Sequence, residues 1–448
     1  MDSHVPARER PDAVQFFQAS VLLGAMGFGG GLSVLANIHS LIVLKKRWLT
    51  EREFANTVTV AQMLPGGAAA NSLAYVGLRF QGVLGALAGY AGFVLPGFVA
   101  VMALAWAYVR FGTSANADTV LGGFNAAVVG VIVAITLKMV KTAVTRMWQM
   151  ALAAGALLFS LIGSAPPGEV ALLSIGIGLA VDLGTKRARL ASVRRAGHRS
   201  MLAAEPPVAL PEDGQTLAAS SLPRPSEPPP PKPQLPLPLP LTEPPPKPDS
   251  SGELKAAAWT ALIAVALSIH ATGVDAELLQ MGLTFFRTGL GAYGGGFAIV
   301  PHLKQVLALK GWLTDRQFAD AVAIGKLTPG PVLLMATFIG YVHHGWLGAI
   351  VATVGVFSAP FALVVVAGTW LDRLRSRRPV RAALRGLTPA VLGLMAAAAI
   401  TLGDSLSGST EVGIAAAVAL TLGRFNVNPV LMLALGGAAR LALHAGGL

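Results

Sequence analysis

The sequence predicts an all-α membrane protein: a polytopic bundle of transmembrane helices in two homologous, inverted repeats, with some helices broken or re-entrant. Three observations predict it. Of 448 residues, 54% are hydrophobic and only 12% are charged, about half the charged share of an average soluble domain. The apolar residues gather into runs long enough to cross a bilayer. The second half of the chain also repeats motifs of the first half in the same order.

Length alone would suggest about three soluble domains, but so little charge could not cover three soluble surfaces. A chain that faces acyl tails does not need that cover. The net charge of +12 sits in short basic clusters between apolar runs, as in loops facing the cytoplasm, so nucleic acid is not an expected partner. There is no Cys, which excludes disulfides and thiolate metal sites.

A helical span needs about 20 apolar residues. The candidates are 14–44, 54–78, 83–111, 118–138, 148–163, 168–185, 255–271, 279–309, 318–342, 346–371, 383–403, 410–424 and 427–444, about 12 or 13 spans by this criterion. No stretch alternates with period two over the length of a barrel strand, which argues against a β-barrel. Residues 1–13 are polar, do not resemble a cleaved signal peptide, and form the expected cytoplasmic tail. The first repeat then covers 14–185 and the second 279–444. Between them, 186–254 begins with Lys186, Arg187, Arg189, Arg194, Arg195 and Arg199 and continues as a Pro-rich stretch. Proline runs cannot be helical, so this is a cytoplasmic linker. A docking site for an SH3-like partner is the alternative.

The duplication is direct. Residues 48–55 read WLTEREFA and 312–319 read WLTDRQFA, six matches in eight. GFGGG ending at Gly31 corresponds to AYGGG ending at Gly296, MLPGG at 63–67 to LTPGP at 327–331, and YVGLRFQGVLGA at 75–86 to FIGYVHHGWLGA at 338–349. Pro96 corresponds to Pro360. Such internal repeats are common in transporters. Charge suggests inversion. Loop 112–118 has no Lys or Arg, whereas its counterpart 372–382 has Arg373, Arg375, Arg377, Arg378 and Arg381. The next loops reverse the bias: Lys138, Lys141 and Arg146 face only Asp404 and Glu411. Corresponding loops then lie on opposite sides. Six spans per half require one extra crossing, supplied by 255–271, which gives an interior N-terminus and linker and an exterior C-terminus. Lys45, Lys46 and Arg47 would then be exterior, against the rule, unless 14–44 and 54–78 are re-entrant.

The candidate site follows from the breaks. Gly29, Gly30 and Gly31, and Gly294, Gly295 and Gly296, interrupt one pair of apolar stretches. Pro65 and Gly66, and Pro329 and Gly330, interrupt a second pair. An unwound segment at membrane depth must line a cavity or be buried in protein, and a new helix N-terminus there would aim free amides at an anion. The alternative is close helix packing through small residues. Lys326, two residues before Thr328, has Gln62 as its counterpart. A cation inside an apolar span is costly and usually functional, or else it snorkels to an interface. Arg52 and Arg316 match each other and could form an anion vestibule or salt-bridged caps. His302 and Asp320 are candidates for proton coupling. Asn71 and Asn125 are read first as interhelical hydrogen-bonding residues, with Asn71 kept among the site candidates. His343 and His344 lie near a loop and are read as solvated. There is no P-loop, HExxH, GxSxG or dinucleotide fingerprint, so neither ATPase nor enzyme activity is expected. No cofactor or metal is expected either.

The motifs resemble the chromate ion transporter family in its long, two-domain form. The residues that carry this are FGGG at 28–31, WLTEREFA, QMLPG at 62–66, GFVLPG at 92–97, GGGFAIVPHL at 294–303, GWLTDRQFADAVAIGKLTPGP at 311–331 and ATFIGY at 336–341. Similarity covers roughly 14–140 and 279–400. The family's first half tends to read FGGP and LPGP, where this chain has FGGG and LPGG. The resemblance implies a secondary active exporter of an oxyanion, chromate first, across the inner membrane on an ion gradient, with protons the expected coupling ion. Alternatives are a carrier or channel for sulfate or another anion, and a membrane enzyme or scaffold. The expected partners are the oxyanion, the lipid bilayer and, in a homodimer, a second copy.

Overall fold

The computed structural model describes residues 11–28, 31–112, 114–162, 166–202, 276–374, 378–406, 408–425 and 427–446. Among them are fourteen α-helices and no strand. The chain divides into two units, 1–182 with 251–448, and 183–250. The first is the membrane bundle. Of the second, the described part is the end of α7. The expected linking span 255–271 and the linker from 203 onward lie outside the described residues.

In the first repeat, α1 is Ala13–Ala25, α2 is Gly31–His39 with a π-helical extension Ser40–Lys45, α3 is Glu51–Met63, α4 is Ala68–Phe111, α5 is Ala115–Ala143, α6 is Met147–Ile162 and α7 is Pro167–Leu202. The basic residues 186–199, read in sequence as linker, continue α7 as helix. In the second repeat, α8 is Ala276–Leu290, α9 is Val300–Lys310, α10 is Asp315–Leu327, α11 is Met335–Leu374, α12 is Arg378–Gly403, α13 is Ser409–Arg424 and α14 is Pro429–Ala445. Thus α1 to α7 correspond in order to α8 to α14.

The duplicated WLT motif marks the entries of α3 and α10. Thr50 accepts from the Glu53 amide, and Glu53 reaches back to the Thr50 amide at 2.8 Å. Thr314 and Gln317 form the same reciprocal cap. Such boxes satisfy two of the free amides at a helix start, which explains why this octet is so alike in both halves.

The long helices α4 and α11 are hairpins. Gln81 and Gly82 leave helical geometry, with Gly82 at φ 62° and ψ −146°. His344 and Gly345 do the same, with Gly345 at φ 60° and ψ −150°. That left-handed turn suits glycine, and it folds the chain back on itself. Thr337 consequently bonds Thr353 at 2.7 Å across the fold in α11. Gly77 meets Gly85, and Gly340 meets Gly348, so closely that a Cβ on either would collide with backbone. In lipid, such close packing replaces the hydrophobic drive between helices.

The first two apolar stretches of each half do not cross. Helix α1 has 13 residues, about 20 Å at 1.5 Å per residue, against a hydrocarbon core of about 30 Å. The Phe16 ring near its start lies 6.1 Å from Trp48, beyond the end of α2, and 5.8 Å from Phe80 at the α4 turn. Gln81 donates to the Pro11 carbonyl at 2.6 Å. The start of α1, the α2–α3 connection and the α4 turn therefore share one end. Helices α1 and α2 form one re-entrant hairpin; α3 and the first leg of α4 form a second. The other repeat does likewise: His343 at the α11 turn touches Glu277 at the start of α8 (2.8 Å) and stacks on Trp312 between α9 and α10 (5.2 Å). The sequence left 14–44 and 54–78 open between full spans and re-entrant hairpins; the chain folds back there, and likewise at 279–309 and 318–342. Hydropathy measured apolar length, not the direction in which the chain returns.

The two mouths lie at opposite ends. The second leg of α4, residues 83–111, rises roughly 44 Å at 1.5 Å per residue from the first mouth. There α5 begins, and Asp118 in its first turn pairs with Arg316 of the second mouth at 2.6 Å. The halves are therefore inverted. Lys45, Lys46 and Arg47 now share the end that holds Pro11, which removes the conflict in charge bias. Among the described residues, five helices are long and apolar enough to cross a membrane by length and composition, including those at Asn116–Ala143 and Val380–Gly403. The packing is reciprocal: α5 packs on α13 as α12 packs on α6, and the hairpins α4 and α11 pack on each other.

Candidate functional site

Each re-entrant hairpin breaks at its tip, and the tips of the two halves are joined by backbone hydrogen bonds. The Gly66 amide donates to the Ala292 carbonyl at 2.7 Å, and the Gly330 amide donates to the Gly27 carbonyl at 3.1 Å. The crossed pairing follows the repeat symmetry: each Pro-Gly break meets the glycine-rich break of the other half. Pro360 of α11 lies against Gly66, and the Pro329 carbonyl lies against Gly97 of α4. The starts of α2, α4 and α11, and the Gly294–Ile299 turn that leads into α9, converge on this junction together with the ends of α1, α3, α8 and α10. Helix starts and helix ends of both repeats thus meet at one junction.

The second half gives this centre its special chemistry. Gly294, Gly295 and Gly296 have φ of 64°, 74° and 97°, a run open only to glycine at ordinary cost. Nothing lies within 4 Å of the position a Cβ on Gly295 would take, so the backbone is uncovered there. Gly29 and Gly30 lie outside the described residues, and Gly31 opens α2.

Lys326 occupies the last turn of α10 and is 7% exposed. Its Nζ lies 5.5 Å from the centre of the Phe297 ring, directly after the glycine triplet. Among the described residues no carboxylate pairs with it. A snorkelling lysine would extend to an interface, whereas this one stays within the protein. A buried ammonium supported by one aromatic face is incompletely compensated, and an anion at the junction would complete it.

Asp320, 1% exposed, lies on the same helix six residues earlier. It accepts from Tyr108 Oη at 2.9 Å and from Asn125 Nδ2 at 2.7 Å, so α10 is tied to α4 and α5 of the other half. The counterparts of Lys326 and Asp320 are Gln62 and Asn56, so the first half is neutral at both places. Thr328 closes α10 by donating to the Ile324 carbonyl at 3.0 Å. Asn71, fully buried, donates to the carbonyls of Ala61, Leu64 and Pro65 at 3.3, 3.5 and 2.9 Å. It holds the first-half break in shape.

Two predicted residues lie away from the centre. Arg52 is exposed at the first mouth. Arg316, paired with Asp118, belongs to the second. The two occupy opposite ends and do not form one vestibule. His302 lies on α9, half-buried. Sequence reasoning missed Tyr108 and Phe297. A tyrosine within an apolar span was the available signal for Tyr108; Phe297 carried none.

Paired repeats with broken helices meeting at the centre define a polytopic helical membrane protein of an architecture common among transporters. The chain belongs to the chromate transporter family, whose profile matches residues 14–181 and 279–441. It is similar to a probable chromate transport protein of Synechococcus elongatus, 29% identical over 400 residues, 89% of this chain and 86% of that one. The chromate transport protein of Cupriavidus metallidurans is 29% identical over 384 residues, covering 85% and 80%. That of Pseudomonas aeruginosa is 26% identical over 391 residues, covering 87% and 80%. No solved structure matches.

Proposed function

We propose that the protein is a secondary active transporter that exports an oxyanion, chromate foremost, across the inner membrane on a proton gradient. The observation that carries this is Lys326: a buried ammonium with no carboxylate partner among the described residues, beside the junction of four helix breaks. A divalent oxyanion there would meet the ammonium, the uncovered backbone at Gly295, and helix N-termini whose partial positive charge favours anions. Lys326, Thr328, Pro329, Gly330 and the second triplet form the anion side of the site. Pro65, Gly66 and Asn71 form its wall from the other repeat. Asp320, held by Tyr108 and Asn125 between the halves, is the group for proton coupling, because a carboxylate in low dielectric can exist protonated. His302 is a secondary candidate. The basic end, with Lys45, Lys46 and Arg47, faces the cytoplasm by the positive-inside rule.

Relatives named for chromate transport support the substrate class. Sulfate, of like charge and shape, is the second reading. Expression in a chromate-sensitive bacterium should lower cellular chromate. Unchanged accumulation with membrane insertion verified would remove chromate as the substrate.

A further inference from the structure

The second mouth carries a cluster to which the proposed function assigns no part. Sequence reasoning left His343 and His344 as solvated loop residues. The structure instead turns both rings onto Glu277, with His343 Nε2 2.8 Å from Oε1 and His344 Nε2 3.3 Å from Oε2. The imidazoles are only 20% and 23% exposed, and the carboxylate 43%. One ligand atom from each residue lies within 4.8 Å of the others. A tetrahedral zinc ion with bonds of about 2.0–2.1 Å holds its ligands about 3.3 Å apart, so closure on an ion needs only small side-chain rotations. The rings are already steered. His343 is stacked on Trp312 and set at 81° to His344, and the left-handed Gly345 turn fixes the two consecutive histidines in place. A cavity of about 490 Å³, lined by Glu277, Gln280, Lys310 and Trp312 among others, opens onto the carboxylate and leaves room for a water as fourth ligand.

The first repeat shows that the hairpin does not need this cluster. At the corresponding corner stand Phe80 and Gln81, with the amide of Gln81 on the Pro11 carbonyl. That clasp closes the same turn with no metal-ligating side chain. The ligand set is therefore an addition of the second half.

We infer that Glu277, His343 and His344 form a binding site for a divalent transition-metal ion of the zinc class at the mouth of the second repeat, cross-linking α8 to the turn of α11. Two imidazoles and one carboxylate suit zinc or its neighbours rather than magnesium or calcium, which want oxygen ligands. The bound ion would restrain the start of α8 and stabilise the folded protein, since it binds the assembled site only.

The test uses the full-length protein, purified in detergent on a tag without histidine and titrated with Co²⁺, then Zn²⁺. One equivalent of Co²⁺ should give visible tetrahedral absorption, which Zn²⁺ should abolish, while Mg²⁺ should leave it intact. Zn²⁺ should also raise the unfolding temperature. His343→Gln, His344→Gln and Glu277→Gln should each weaken binding at least tenfold and remove the thermal shift. A monodisperse elution profile and unchanged metal-free unfolding of at least one variant show that the fold survives. Absence of a saturable band, or a band that persists in all three variants, would overturn the proposal and leave a hydrogen-bonded clasp only.

Discussion

Replacing Lys326 with glutamine removes one charge at nearly constant length and installs the residue that the first repeat carries at the same position, Gln62. The expected loss follows from burial. At an effective dielectric near 20, two unit charges about 4 Å apart interact by about 4 kcal/mol, and a divalent anion doubles that. Desolvation of both partners returns much of it. Truncating one member of a buried charge pair costs about 2–5 kcal/mol, and about 1.4 kcal/mol is one decade in affinity. Half-saturation for the anion should therefore rise by about 30-fold or more. Lys326→Arg should fall between, because the charge persists while the guanidinium does not fit the place of a compact ammonium over Phe297. The assay is initial transport rate against anion concentration in reconstituted vesicles, with the amount of inserted protein measured in each preparation. Wild-type half-saturation and maximal rate in Lys326→Gln would refute the role given to this lysine.

Other outcomes follow from the same geometry. Asp320→Asn keeps a side chain that can still bond Tyr108 but cannot carry a proton, so anion exchange should persist while accumulation driven by a pH gradient is lost; retained gradient-driven accumulation would remove Asp320 from the coupling step. The chain has no native Cys, so Lys46→Cys should label with an impermeant maleimide only after permeabilisation, and Leu309→Cys and Ser114→Cys from outside. Labelling of Lys46→Cys and Leu309→Cys from one side would contradict the inverted hairpins. Deleting 204–250 down to a short flexible joint should leave transport intact, because a Pro-rich stretch can neither build a core nor cross lipid; loss of transport with normal insertion would give that segment an active part.

Much of this architecture could be read from residues. The WLT octets announced the duplication because each carries a helix cap, a local device that reads the same in sequence and structure. The paired Gly and Pro breaks were legible because no ordinary helix tolerates them twice in matched places. Lys326 stood out because apolar surroundings make a charge conspicuous. The re-entrant course of 14–44 was not legible from hydropathy, since a run of that length satisfies a span; only Lys45, Lys46 and Arg47, basic on the wrong side, hinted at it. The crossing of the breaks, Gly66 to Ala292 and Gly330 to Gly27, joins backbone atoms far apart in the chain and leaves no mark in side-chain pattern. The same distance hid Glu277 from His343 and His344.

The central claim is that the junction of the two repeats carries an oxyanion through the membrane on a proton gradient. Its most direct test is flux of labelled chromate in proteoliposomes containing only this protein, with and without an imposed pH gradient and with sulfate as competitor. Saturable chromate flux that accelerates with the gradient, is inhibited by sulfate and needs a much higher chromate concentration in Lys326→Gln is the predicted result. Flux equal to that of protein-free liposomes, from protein shown to be folded and inserted, would contradict it.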